Sequence, residues 1–342
     1  MTVIAGIDLG GTAINYTFCD IEGRFLLDRL CEFPSHVGDG PDVCLDQITA
    51  GLQRASAEAH VDISDVIVAG LATPGPASVS GVLSAAGSTN FAHGGWAGFD
   101  LPAHLSKRLR MPVVYVNDGN AAALWGHVAA CGAKASSSTT ITAVVGTGLG
   151  GGLVVNGRLA VGRNGFAGEL GHVLIPFERI DGAGGLRPHC NCGRYGDLES
   201  ICSLTAIERI LLPALLPQYP DHELHRASTL RDAARRARSL AAAGDHLSLK
   251  IFSIQAHALG LFFDQMINIF DPDALIVGGG IIETTPAFRE WFVAEIRGGM
   301  PPQRAEQRDI PVMLMPSGDT AGARGAALEA LRHFDETSLQ LQ

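Results

Sequence analysis

The stretch TTITAVVGTGLGGGLVVNGRLAV, Thr139 to Val161, decides how the chain is to be read. TTITAVV is short and β-branched, the pattern of a buried strand. It runs into a glycine loop, GTGLGGG (Gly146 to Gly152), then into LVV, an Asn156-Gly157 pair and RLAV. Asn-Gly between two such runs signals a hairpin turn. The loop therefore opens a hairpin. Gly146, Gly148 and Gly151 do satisfy G-x-G-x-x-G, but the dinucleotide fingerprint must open a helix after its strand, so that reading fails on context. A Walker loop fails too: the lysines are Lys107, Lys134 and Lys250, and none follows a glycine.

The same plan stands at the start of the chain. TVIAGI runs into DLGGT (Asp8 to Thr12), and AINYTFCDIEGRFLL then reads as strand, Glu22-Gly23 turn, strand. Both loops offer main-chain N–H groups that can approach a phosphate closely, because glycine carries no Cβ. A ligand-free pair of glycine turns is the alternative, and the recurrence of one plan argues against it.

Composition bounds the class. A chain of 342 residues exceeds the usual single core of about 100 to 200 residues, which predicts two lobes and a cleft. Its 42 glycines stand well above the common share of about 7% and cluster in loops. The formal charge is 25 minus 35, or −10, with no basic run, so nucleic acid is not an expected partner. Seven unevenly spaced cysteines do not form a disulfide framework, and a reduced, cytoplasmic setting is expected. No signal peptide is read at MTVIAGIDLGG, and no apolar run approaches the roughly 20 residues of a membrane span.

In PVVYVNDGNAAALWGHVAA a buried strand breaks at Asn117-Asp118-Gly119 before an alanine-rich helix. Asp118 at that joint can cap the helix, an effect worth roughly 1 kcal/mol. Beside two phosphate loops it has a second use, since phosphoryl transfer to an alcohol needs a carboxylate to accept the hydroxyl proton. GLATPGP (Gly70 to Pro76), GSTNFAHGGW (Gly87 to Trp96) and GELGH (Gly168 to His172) add polar, turn-rich stretches. Amides, carboxylates and imidazoles of this kind suit a ring of hydroxyls, each both donor and acceptor. HCNCGRYGDLES (His189 to Ser200) sets two cysteines one residue apart before a glycine turn. Its spacing leaves a metal site and a metal-free turn both open.

These motifs together resemble the ROK family of repressors, open reading frames and sugar kinases, nearly end to end. The resemblance implies an α/β protein with the two-lobed actin-like ATPase (ribonuclease H-like) fold, each lobe a mixed sheet flanked by helices. The smaller lobe would hold residues 1–116 and 320–342, the larger 117–319. DLGGT is similar to the family's first phosphate motif, assigning Asp8, Gly10, Gly11 and Thr12 to the nucleotide. GTGLGGG is similar to the second, assigning Gly146, Thr147, Gly148 and Gly150. DPDALIVGGGI (Asp271 to Ile281) is similar to the adenosine motif, assigning Gly278, Gly279 and Gly280. VNDGNAAALWG resembles the catalytic motif, which makes Asp118 the general base and Asn117 its sugar-binding neighbour. Gly75, Asn90, Glu169, His172 and Glu199 are then further sugar contacts, and Asp8 the partner of Mg2+. Ala13 departs from the lysine many members carry.

In family kinases the histidine of E-x-G-H also binds zinc, with cysteines from C-x-C-G-x-x-G-C-x-E. This chain supplies His172, Cys190 and Cys192, then Asp197 in place of the last cysteine, then Glu199. Carboxylate oxygen binds zinc too, so structural Zn2+ with Asp197 as fourth ligand is the expectation, against a turn without metal; His189 and Cys202 stand close enough in sequence to substitute. The interval from His172 to Cys190, with FERIDGAGGLRPH, is longer than the family's. Glu199 has a second reading as the first-turn carboxylate of a helix beginning around LESICSLTAIERIL. ASTLRDAARRARSLAAAG and HLSLKIFSIQAHALGLFFDQMINIF read as helices, the second as core.

The function implied is ATP-dependent phosphorylation of a hexose, glucose or a close relative, at the 6-hydroxyl, by a homodimer taking sugar and nucleotide. N-acetylhexosamine and fructose are alternative acceptors. A sugar-responsive regulator of this family would carry a DNA-binding domain ahead of the first phosphate motif, which here begins at residue 8. A sugar-binding protein without catalysis is kept open by Ala13 and Asp197.

Overall fold

Alternation along one strand organises the first unit. In the computed structural model, which describes residues 1–84, 91–316 and 320–340, β1 (Val3–Leu9) turns Val3, Ala5, Ile7 and Leu9 to one apolar cluster and Ile4 to another. Successive side chains of any strand face opposite sides, so an apolar strand this regular is covered on both faces. β2 (Ala13–Asp20) pairs antiparallel with β1, and β3 (Cys31–Pro34) antiparallel with β2. Next come α1 (Pro41–Glu58), β4 (Val66–Thr73), α2 (Leu101–Leu109) and β5 (Val113–Asn117), with β4 parallel to β1 and β5 parallel to β4. The sheet order is β3-β2-β1-β4-β5. Leu45, Ile48 and Leu52 of α1, with Leu101 and Leu105 of α2, close over the odd-numbered face of β1. Pro41 starts α1 where its missing N–H costs nothing, and the Asp100 carboxylate caps α2 by accepting the Ala103 amide.

After α3 (Asp118–Cys131) come the hairpin strands β6 (Thr140–Val145), β7 (Leu149–Val155) and β8 (Arg158–Leu159). Asn156 and Gly157 both have positive φ, 50° and 74°, the backbone a two-residue Asn-Gly hairpin turn requires. α4 (Leu204–Ala206) and α5 (Leu212–Leu215) are joined by a wide π turn over Ile207–Leu211. Pro213, with no N–H to give the carbonyl of Arg209, accounts for the departure from regular helix. α6 (Leu230–Ala242), α7 (His246–Phe270), β9 (Ala274–Gly279), α8 (Pro286–Gly299) and β10 (Val312–Leu314) follow. β6 runs antiparallel to β7 and parallel to β9, and the order is β10-β9-β6-β7-β8. α7 is the core helix of this unit: Phe252 packs edge-on against Phe288 of α8 at 5.5 Å. By internal packing one unit comprises Met1–Trp125, Leu159–Gly168 and Gly318–Gln342, the other Gly126–Arg158 and Glu169–Ser317. No helix among the described residues is long and apolar enough to cross a membrane.

The structure departs from the sequence reading after Glu22-Gly23. The predicted partner strand is reduced to a single bridge, Cys19 to Phe25, and Cys31–Pro34 forms the edge strand instead. Side chains take the intervening segment out of the ladder. Phe25 stacks edge-on against Trp125 at 5.5 Å with the Arg324 guanidinium 4.9 Å from its ring, while Asp20 accepts the Glu22 and Arg24 amides.

The last helix, α9 (Ala321–Gln340), returns to the first unit and covers the even-numbered face of β1. Ala323 and Ala327 lie over Gly6, Ala326 over Gly70, and Gly325 against the carbonyl oxygen of Ala121. Residues this small let main chains approach with no side chain between them. Gly325→Ala therefore sets two effects against each other. Helix propensity favours alanine by up to about 1 kcal/mol. A methyl group overlapping a fixed carbonyl costs about 1 to 3 kcal/mol or more. The overlap is the larger, so the variant should unfold at lower urea concentration than the wild type; a higher midpoint would show that α9 is not seated on Ala121.

Candidate active site

Parallel pairing sets Asp8 opposite Ala72 and Thr73 opposite Asn117, so β1, β4 and β5 end together at one edge of their sheet. Carboxyl ends of parallel strands are where α/β sheets bind ligands. After β1, Gly10 donates to the Ala13 carbonyl at 2.9 Å, leaving Gly11 and Thr12 exposed at the tip of the turn. Asp8 faces the α9 side, with its carboxylate so near Gly322 that any side chain there would collide with it. Beyond β4, a Cβ on Gly75 would lie 3.4 Å from the Asn117 amide nitrogen, which brings those two predicted residues together. Asn90 lies outside the described residues.

The cap offered by sequence to Asp118 is supplied by its neighbour. Asn117 Oδ1 accepts the amides of Gly119 and Asn120 at 2.9 and 3.3 Å. Asp118 Oδ1 takes a further bond from Gly119, at 2.8 Å, and the side chain stays exposed. Although part of its surface is accessible, the carboxylate is set among dense protein, and this partial loss of water raises the Asp118 pKa above the usual carboxylate range, its bonds from Gly119 and Asn117 offsetting only some of it. The result is a carboxylate unusually ready to take a proton.

In the second unit the loop between β6 and β7 is pinned from below. Gly146 N–H donates to the Gly148 carbonyl at 2.9 Å, the Gly146 carbonyl accepts the Leu204 amide at 2.9 Å, and the Thr147 carbonyl accepts both the amide and hydroxyl of Thr205. Gly150 sits inside β7, opposite Val144. Parallel pairing with β6 sets Gly279 of β9 opposite Val145, so the glycine turn after β9 lies at the same edge as the loop. Gly278 is covered by Met315, and Gly279, with φ of 90°, packs on the Val145 carbonyl; both serve close packing. Gly280 lines a cavity of about 400 Å³ together with Gly146, Thr147, Arg238, Phe252 and Gln255. Arg238 Nη1 donates to the Gly280 carbonyl at 2.7 Å. The sequence reading missed Arg238 and Gln255. Arg238 looks like one more charge on a solvated helix face, and Gln255 like a polar interruption in a core helix.

The cysteine turn comes together as a group. Ligand atoms of His172, Cys190, Cys192 and Asp197 all lie within 4.8 Å of one another, and His189 and Cys202 are not part of it. His172 Nδ1 is 3.0 Å from Asp197 Oδ2, Cys190 Sγ 3.8 Å from His172 Nδ1, and Cys192 Sγ 3.5 Å from Asp197 Oδ2. Nitrogen and sulfur ligands around one tetrahedral zinc stand roughly 3.5 Å apart, given bonds of about 2.0 and 2.3 Å, so the donor set fits. Burial alone would raise the Asp197 pKa; bonds from His172, the Ser200 amide and Cys190 outweigh it and hold the carboxyl below its usual range. Burial raises the Cys190 thiol. A cation would have to displace that thiol proton, which makes binding pH-dependent. The long segment before Cys190 packs inward, burying Phe177, Ile180, Ala183 and Leu186.

Glu199 joins this turn to the glycine loop. Its Oε2 accepts the Leu149 amide at 2.8 Å, its Oε1 faces Cys190 Sγ at 3.4 Å, and its own amide donates to the Gly171 carbonyl at 2.8 Å. The helix expected to start at Glu199 begins instead at Leu204, where Ser203 Oγ caps it by accepting the Ala206 amide. Glu199 is a brace outside that helix. Glu169 is exposed, and its carbonyl accepts the His172 amide at 3.2 Å in a single tight turn.

A profile of the ROK family matches residues 4–333. The chain belongs to the ROK family. A glucokinase from Halalkalibacterium halodurans is 32% identical to it over 285 residues, 81% of this chain and 79% of that protein. A xylose repressor from Bacillus spizizenii is 27% identical over 332 residues, 96% of this chain and 77% of that protein. A ROK family glucokinase from Streptomyces griseus, solved in complex with glucose and AMPPNP, has a TM-score of 0.71 and 26% identity over 96% of this chain and 99% of its own. The ROK chain thus has the actin-like ATPase fold, two mixed sheets flanked by helices, and is a phosphotransferase of the sugar-kinase type.

The Glu199 brace is testable apart from any activity. Glu199→Ala leaves the Leu149 amide without its acceptor, a loss of about 1 to 3 kcal/mol where the group stays shielded from water. Hydrogen exchange at Leu149 should accelerate by tenfold or more, while Ile141 in the centre of the same sheet keeps its protection. Equal exchange at Leu149 in both proteins would mean the carboxylate does not hold the loop.

Proposed function

We propose that this ROK protein transfers the γ-phosphoryl group of ATP to the 6-hydroxyl of a hexose, glucose or a close relative, with Asp118 as general base. Asp118 carries the reading: a carboxylate at a strand–helix joint, relieved of capping by Asn117, with a proton affinity raised by its surroundings. As the sugar oxygen attacks the γ-phosphorus, its proton passes to Asp118. A new O–P bond forms, the bond to the β–γ bridging oxygen breaks, and ADP leaves. The raised pKa improves the match between this base and a weakly acidic alcohol.

Asn117 and Gly75 are assigned to the sugar, with Asn90, Glu169, His172 and Glu199, because together they offer the donors and acceptors a ring of hydroxyls needs. The Gly10–Thr12 turn and the Gly146–Gly148 loop are assigned to the phosphates, and the cavity beside Gly280 to the adenosine. Asp8, an oxygen ligand at the end of β1, is assigned to magnesium, which when bound neutralises phosphate charge. The glucokinase relatives favour glucose as acceptor, and Asp8, Asp118 and both glycine loops favour an enzyme over a regulator. The cysteine turn is assigned a structural zinc ion on His172, Cys190, Cys192 and Asp197. Four protein ligands leave no open position, so its work is to fix the turn and orient His172.

In an assay of ADP release with glucose, ATP and magnesium, Asp118→Asn should lower kcat by about 10³-fold or more with glucose binding nearly unchanged. Only the ionised carboxylate accepts a proton, and its pKa is raised, so wild-type kcat/KM should fall with decreasing pH at a value above the ordinary aspartate pKa of about 3.9. A variant retaining wild-type kcat, or a profile level down to pH 4, would remove Asp118 from the mechanism. Protein purified without added zinc should contain about one zinc per chain, and Asp197→Ala far less. A wild-type content near zero sinks the zinc assignment and leaves the kinase reading standing.

A further inference from the structure

We infer that Gln255 selects the nucleotide base, favouring a purine with an amino group at position 6 over one with an oxygen there. The inference rests on the kinase reading and goes past it to the residue that would set donor specificity. Gln255 is 1% exposed, yet it lines the cavity bounded by Gly146, Thr147 and Gly280. Its amide nitrogen donates to two main-chain carbonyls, Ile201 at 3.1 Å and Ser203 at 3.0 Å.

That pair of bonds settles which way the amide points. Carbonyl oxygens only accept, so the end of the side chain facing both of them must be the NH2 group, and both of its hydrogens are used. Oε1 is the end left over, and no described residue donates a hydrogen bond to it. Nor is the residue sealed in the interior: Gln255 stands in the wall of the cavity. A nearly buried amide oxygen, fixed by its own nitrogen and open to a cavity, is a preset acceptor.

The rest of the lining says what it accepts from. Leu204, Ile207, Ala234, Phe252 and Ile281 make most of the wall apolar, suited to the faces of a flat ring. The glycine loop marks one end of the cavity as the place for phosphate. Arg235 and Arg238 are cations and donors only, so they cannot read a donor group. Among the lining side chains, Gln255 is the neutral amide whose acceptor is held in place. The 6-amino group of adenine would satisfy it. The 6-oxo group of hypoxanthine would set oxygen against oxygen, leaving a buried acceptor unpaired, and sites built to bond a group reject analogues that lack it.

Calorimetric binding of ADP and IDP needs neither sugar nor turnover. Wild-type protein should bind ADP about 10- to 100-fold more tightly than IDP. Gln255→Met keeps the volume and removes the acceptor, and the ratio should fall to about threefold or less. If Gln255 only braces Ile201 and Ser203, both nucleotides will weaken together with the ratio intact, and the inference is overturned. Should the variant not fold, the wild type still decides, since equal binding of ADP and IDP also overturns it. Absence of any ADP binding would overturn the kinase reading underneath, a separate outcome from loss of discrimination.

Discussion

Parallel strand pairing is the constraint on which the arrangement depends. In one unit the register of β1, β4 and β5 ends Asp8, Thr73 and Asn117 at one edge; in the other, β6 and β9 bring the Gly146 loop and Gly280 to one edge. Parallel strands cannot be joined by tight turns, so long connections must carry the chain back, and each new strand arrives pointing the same way. Residues far apart in sequence thus gather without any one of them stabilising the gathering. The apolar faces hold the register, since a slip by one residue would exchange Ile7 and Leu9 for Gly6 and Asp8 in the core. Chemistry at the strand ends is a by-product of packing in the middle.

Within the second unit Glu199 concentrates several demands on one carboxylate. It holds the Leu149 amide at the foot of the glycine loop, meets Cys190 in the cysteine turn, and is tied by its own amide to Gly171, next to His172. A side chain shared in this way makes the loop and the turn one mechanical piece. Asp197 does the same on a smaller scale, receiving the His172 ring on one oxygen and the Ser200 amide on the other. Each carboxylate meets its charge with fixed donors, the condition under which burial of a charge is tolerable.

What could be read from sequence was local. The Asn156-Gly157 turn follows from the backbone those two residues prefer, and the break at Asn117-Asp118 from a β-branched run meeting alanines. Family motifs carried the site further, and the structure gathers His172, Cys190, Cys192 and Asp197 across 25 residues of chain. What stayed hidden depended on distant partners. Nothing near Phe25 announces Trp125 or Arg324, so its segment reads as strand. Glu199 looks like a helix opener until Leu149, 50 residues earlier, claims its carboxylate. Asn117 and Asp118 are equally good caps on paper, and only side-chain direction separates them. Gln255 is invisible for the opposite reason, being one polar residue among apolar neighbours whose orientation is set by two carbonyls more than 50 residues away.

The seat of α9 on Gly6 and Gly70 has a consequence for how the protein is made. Strands β1 and β4 leave the ribosome well before the helix covering their second face, which begins at Ala321, far along the chain from the end of β4 at Thr73. At roughly 5 to 20 residues per second, the interval lasts on the order of tens of seconds. During that time Ile4 and Val68 have no native cover, and the nascent sheet presents a greasy surface to its surroundings. The unit that begins first is therefore completed only after the other, and a chaperone able to shield one flat apolar face would serve it until α9 emerges.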